Sequence, residues 1–190
     1  KKSKYVEALK PDLNLNEVIR QALSNEVEKE EQKYFENLAN RYVSGKPKSY
    51  LWARSIVMDV HISLEFYINT IIRLILIFGT GKVGSSLIKT KQLMAEIQKI
   101  DYARKIELIK SLNVFSNKSI NIFFMTNDVR KAFAHGRDME SRDYNYDKEL
   151  IFKKTTIEKL IHNQQVVLHE FSQFLVKAGI LKKDEKKTGL

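Results

Sequence analysis

Apolar residues recur along most of this chain with the period of an α-helix, and polar or glycine-containing breaks divide them into about five segments. The first segment runs from Leu15 to Tyr42. Leu15, Val18, Ile19, Ala22 and Leu23 open its pattern, Tyr34, Phe35, Leu38, Ala39 and Tyr42 close it, and Asn14 stands where a cap belongs. Between them Glu26 to Lys33 is almost wholly polar, which predicts a helix that bends there or projects partly into solvent. Ser44-Gly45-Lys46-Pro47 ends it. The second segment spans Tyr50 to Phe78, with Ile56, Val60, Leu64, Tyr67, Ile71, Leu74 and Phe78 in one seam and Ile62, Phe66 and Ile77 elsewhere around the cylinder. A helix apolar on more than one side is expected to be central, covered by several neighbours or by a second subunit.

The third segment reads from Leu87 to Leu112 behind a Ser85 or Ser86 cap, with Leu93, Ile97, Ile100, Ala103, Ile106 and Ile109 in phase. Ser116 or Asn117 opens the fourth, whose Ile122, Met125, Val129, Ala132 and Phe133 face inward until Gly136. Arg137 to Asp147 is polar and reads as a loop, and residues 150–153 as a short extended piece. Thr155 or Thr156, with Glu158 behind, marks the start of a last helix that reaches Ala178 and stops at Gly179. The expectation is an all-α bundle forming one domain over residues 1–181, followed by a charged flexible tail at 182–190, with no internal repeat.

Composition agrees. At 190 residues the chain can bury one core, and only 7 Gly and 2 Pro interrupt it, which favours long helices. The absence of cysteine excludes disulfides and thiolate chemistry and fits a reducing, cytoplasmic setting. No signal-peptide pattern opens the chain, and Asp59, His61, Glu65 and Arg73 make the most apolar segment a poor lipid-spanning helix, so no membrane association is expected. A net charge of +10 attracts polyanions, of which nucleic acid is the commonest, although lysines on solvent-facing helix positions account for part of it.

Gly79-Thr80-Gly81-Lys82-Val83-Gly84 fits G-x-G-x-x-G, but it follows a helical run rather than a strand and reads as a helix–helix turn. His61, Glu65 and Asn69 fall at i, i+4 and i+8 on the second helix, a polar stripe on an otherwise apolar cylinder. It is either a solvent-exposed strip or a set of groups with partners on another helix, Glu65 meeting a cation there. As a metal site His61 and Glu65 lack a third ligand, so no metal or other cofactor is expected. His162 and His169 lie two turns apart on the last helix and read as surface residues, and Trp52 as a packing residue.

The segment Asn127 to Gly136 concentrates the chemistry. Arg130 is a permanent cation suited to a phosphate, and His135 can move a proton near neutral pH. Together they supply what RNA self-cleavage requires: proton transfer from the 2′-hydroxyl and stabilisation of charge on the attacked phosphorus. On a straight helix the two point about 140° apart, so they converge only if the helix ends between them, if their side chains reach around, or if a second subunit supplies the partner. Asn127, one turn before Arg130, and Asp128, two turns before His135, are placed to orient them.

Arg130-Lys131-Ala132-Phe133-Ala134-His135-Gly136 resembles the R-x(4–6)-H signature of the HEPN superfamily, including its common Ala-His-Gly ending. Its position late in a four- or five-helix pattern is also similar, and Glu65 resembles the family's supporting carboxylate on an earlier helix. The resemblance implies a helical bundle that often forms homodimers, with both Arg/His pairs lining a shared cleft. It implies a metal-independent endoribonuclease of the kind found in toxin–antitoxin, phage-defence or RNA-processing systems, in some cases partnered by a nucleotidyltransferase-like antitoxin. Other members bind RNA or protein without catalysis. Carried over, Arg130 and His135 are the catalytic pair, Glu65, Asn127, Asp128 and His61 support it, and Lys131 and Arg137 extend a basic path for RNA. Lys131 departs from the small polar residue frequent after the arginine.

Overall fold

The computed structural model describes residues 17–45, 49–79, 95–135 and 144–181. They form an all-α bundle of five helices, α1 (Glu17–Ser44), α2 (Tyr50–Gly79), α3 (Tyr102–Ser111), α4 (Asn117–Ala134) and α5 (Lys154–Lys177), with a short helical stretch at 95–99 before α3. A two-stranded hairpin, β1 (Asn145–Tyr146) and β2 (Glu149–Leu150), joins α4 to α5. Expectations for Asn14, Lys46-Pro47, residues 80–94 with their glycine-rich turn and serine caps, Gly136, Arg137 and the tail fall outside the described residues.

α2 is the axis of the bundle. Ile56, Val60, Leu64, Tyr67, Ile71 and Leu74 are all buried as the seam predicts, and Ala53, Val57 and Ile68 widen it. α1, α3, α4 and α5 each pack against this helix. It is long and apolar enough to cross a membrane, yet most of it is enclosed by protein. Phe171 of α5 stacks on Tyr67 with ring centroids 4.6 Å apart, whereas Ile62 of the same helix is 55% exposed. The polar middle of α1 does not break that helix. Val27 there is buried, and Glu26 receives a bidentate pair from Arg73 of α2 at 2.8 and 3.0 Å. Beyond α1, a Cβ on Gly45 would collide with the Trp52 ring, so the close approach of that buried indole requires glycine.

The third segment is not one helix. The chain breaks at Ile100, and Asp101 caps a new start by accepting a hydrogen bond from the Ala103 amide at 2.9 Å. α4 begins as the serine predicts. The Ser116 hydroxyl accepts from the Ser119 amide, while Glu170 of α5 holds both the Ser116 amide and hydroxyl. Part of the polar loop before Asp147 is structured instead. Asp147 and Lys148 both have positive φ, 49° and 67°, the geometry of a two-residue hairpin turn. The extended piece therefore ends at Leu150, and 151–153 turn into α5. Thr156 is no cap: its buried hydroxyl donates to Glu149 of the hairpin, and α5 starts at Lys154 without a side-chain cap. Gly179, φ 70°, closes α5 as predicted, with the Ile180 amide bonded to the Leu175 carbonyl.

Substituting Leu64, fully buried, with alanine is expected to lower unfolding free energy by ~2–5 kcal/mol, while Ile62→Ala should stay within about 0.5 kcal/mol. Urea denaturation of both variants measures this, and equal losses would contradict the orientation of α2.

Candidate functional site

Of the stripe on α2, His61 and Glu65 meet partners from other helices, whereas Asn69 is half-buried and its Oδ1 has no partner. With Asp101 capping α3, its Tyr102, Lys105, Ile106 and Ile109 share one face turned toward the interior. The Tyr102 ring lies edge-on to His61 with centroids 4.4 Å apart. The Lys105 side chain has no exposed surface, and its Nζ donates to Glu65 Oε1 at 2.7 Å. Glu65 Oε2 lies 3.7 Å from His61 Nε2. A buried ammonium needs a nearby carboxylate, and Glu65, one-third exposed, supplies it while keeping contact with water. Glu65 thus faces a cation on another helix, the second of the two readings of the stripe, and that cation is Lys105. With an ammonium on its oxygen, the carboxylate is a poor ligand for a metal.

α4 closes the cluster with Asn127 and Arg130. Asn127 is 1% exposed, and its Oδ1 accepts from Arg130 Nη2 at 3.3 Å. Arg130 is half-buried, and its enclosed Nε has no partner. Burial pushes His61 down to about 4, helped by the positive charges of Arg130 and Lys105 and opposed by Glu65. Burial and the Glu65 charge raise the Tyr102 hydroxyl well above its ordinary range, against Arg130. His61 is therefore a neutral imidazole at pH 7, and its contact with Glu65 is not an ion pair there.

His135 stands apart. α4 ends at Ala134, and His135 is its C-cap, with its amide still bonded to the Lys131 carbonyl at 3.0 Å. The helix therefore ends between Arg130 and His135, as one condition for their convergence requires, yet the hydrogen bond of Arg130 goes to Asn127 and not to His135. The imidazole is exposed, at an end of α4 fixed by aromatic packing: Phe133 meets Tyr50 at 5.2 Å and Tyr144 at 5.0 Å, edge to face. Asp128 and Lys131 also face solvent. Of the residues singled out from sequence, the fold gathers His61, Glu65, Asn127 and Arg130, and leaves Asp128, Lys131 and His135 outside that cluster. Arg137 lies beyond the described residues. His162 and His169 are on the surface, and Trp52 packs in the core against Tyr42.

Tyr102 and Lys105 escaped sequence reading. Lys105 stands one turn before Ile109 of the predicted seam, but a lysine there reads as a solvent-facing residue. The signal that recovers them is Asp101, a capping residue inside an apparent helical run. No protein-family model, curated protein or solved structure matches the chain.

The buried imidazole makes stability depend on pH. Its folded value, about 4, lies below the unfolded 6.5, so the unfolded state binds more protons between the two. Stability contributed by keeping His61 neutral is complete above pH 6.5 and lost as pH falls to 4, about 3 kcal/mol in all. The groups facing it are Glu65, Tyr102, Lys105 and Arg130. Urea denaturation across this window should show wild type losing that much more than His61→Gln, and parallel curves would refute it.

Proposed function

We propose that this chain is a metal-independent endoribonuclease of the HEPN type that acts as a homodimer. The observation that carries this reading is the division of the motif on α4. Arg130 is held at one Nη by buried Asn127 with its Nε unengaged, and His135 stands exposed at the helix end, outside that cluster. A second copy can bring the His135 of one subunit to the Arg130 of the other across a shared groove. Arg130 then binds the scissile phosphate and stabilises its added charge. His135 serves as the general acid or base. The 2′-oxygen gives up its proton and bonds to phosphorus, the bond to the 5′-oxygen breaks, and that oxygen leaves protonated. The products are a cyclic phosphate and a 5′-hydroxyl, with no oxidant or metal consumed.

Asn127 orients Arg130, while exposed Lys131, together with Arg137 and the overall charge of +10, favours RNA as the polyanion. A toxin or phage-defence effector in the cytoplasm, restrained by a nucleotidyltransferase-like antitoxin, is the biological setting that the motif implies. A second reading, a non-catalytic module binding RNA or a protein, is favoured by one observation: Arg130 is half withdrawn into the polar cluster.

Arg130→Ala and His135→Ala should each reduce cleavage of RNA in chelator by about 10²–10⁴-fold. Co-refolding the two inactive variants should restore about a quarter of wild-type activity, since half of the dimers are mixed and each regains one intact groove. Undiminished cleavage by His135→Ala would refute its role, failure of the mixture would refute the shared groove, and RNA binding without cleavage by wild type would select the second reading.

A further inference from the structure

We infer that Lys105 is a positioning residue: by occupying Glu65 it keeps that carboxylate from capturing Arg130, and so leaves the Arg130 guanidinium open to a phosphodiester, resting on the phosphate role proposed for Arg130 above. Glu65 Oε2 lies 3.7 Å from His61, whose ring packs edge-on against Tyr102, and the charges of Glu65 and Arg130 both act on these two rings. An arginine and a carboxylate sharing a half-buried site ordinarily form a bidentate ion pair, because two parallel charge-assisted hydrogen bonds outweigh any one neutral contact. Here they do not pair. Glu65 Oε1 is taken by Lys105 Nζ at 2.7 Å, and Oε2 is turned to His61. Arg130 leans instead on a neutral amide, Asn127, at 3.3 Å, and its Nε is unpartnered.

The position of Lys105 makes this a specific arrangement. Its side chain is wholly enclosed, so it cannot itself touch RNA, and its charge serves no partner on the surface. Burying an ammonium is costly, and a hydrophobic residue on the same face of α3, beside Ile106 and Ile109, would pack without that cost. What an apolar side chain could not do is neutralise Glu65. A purely structural ion pair predicts that losing Lys105 alters stability alone, whereas a charge spacer predicts that Arg130 changes partner.

Wild type, Lys105→Met, the double variant Lys105→Met/Glu65→Gln, and Arg130→Ala are compared by two readouts. One is the rate at which phenylglyoxal modifies Arg130, followed by peptide mass spectrometry. The other is affinity for a short single-stranded oligoribonucleotide over a range of salt. In Lys105→Met, Arg130 modification should slow, RNA affinity should fall about tenfold, and the salt slope should shrink by about 0.7, one phosphate contact, as in Arg130→Ala. The double variant, with Glu65 neutral, should recover wild-type reactivity and affinity. A folded Lys105→Met whose Arg130 reacts at the wild-type rate overturns the spacer, as does a folded double variant in which it stays slow. If Lys105→Met does not fold, Lys105→Leu, which likewise leaves Glu65 Oε1 without its partner, carries the same expectation and the same refutation. Equal RNA binding by wild type and Arg130→Ala would defeat the phosphate reading of Arg130, while the modification rate would still decide the role of Lys105.

Discussion

Helix α2 presents apolar side chains around so much of its circumference that no single neighbour can cover them. Ile56, Leu64, Ile68 and Ile71 are all fully buried, and this takes α1, α3, α4 and α5 together. Enclosing a helix on that many sides draws in whatever polar residues it carries. His61 and Glu65 could stay within the bundle only if other helices brought them partners, because an unpaired buried charge costs more than the surrounding packing returns. The polar cluster is thus a consequence of the core, and the residues that complete it, Tyr102, Lys105, Asn127 and Arg130, come from the helices that cover that side of α2.

Within the cluster the charges are sorted. Lys105 and Glu65 satisfy each other, His61 stays neutral between them and Arg130, and the arginine is left with a neutral amide as its hydrogen-bond partner. A cation held in this way can accept an anion without first breaking an ion pair, which is the physical basis for reading Arg130 as a phosphate contact. His135 belongs to a different environment. It sits on the rim, where its imidazole remains in water, and its place is set by the aromatic packing of Tyr50, Phe133, Tyr144 and Phe152 rather than by the polar cluster.

Much of this was readable from residue order. The seam of α2, the serine cap of α4 and the glycine stop of α5 are local signals, each carried by side chains within a turn or two of one another, and the structure bears them out. The misreadings share a cause. Ile97, Ile100 and Ala103 keep helical period across a break that only the Asp101 cap reveals, and Lys105, one turn before Ile109, reads from residue type alone as a solvent-facing lysine. The hairpin turn uses Asp147 and Lys148 rather than the Asn-Gly or Asp-Gly pair that announces such turns, and buried Tyr146, bonded to Asn163 of α5, helps to hold it.

By itself the sequence determined the class of fold, the central position of α2 and the nearness in the chain of Arg130 and His135 at the end of one helix, because periodicity and local spacing encode all three. Which groups meet was decided by tertiary structure. The Glu65–Lys105 contact spans forty residues, and the enclosure of Arg130 and exposure of His135 depend on how neighbouring helices cover α4. Spacing along one helix specifies an angle about its axis, but only packing determines whether that angle points at protein or at water.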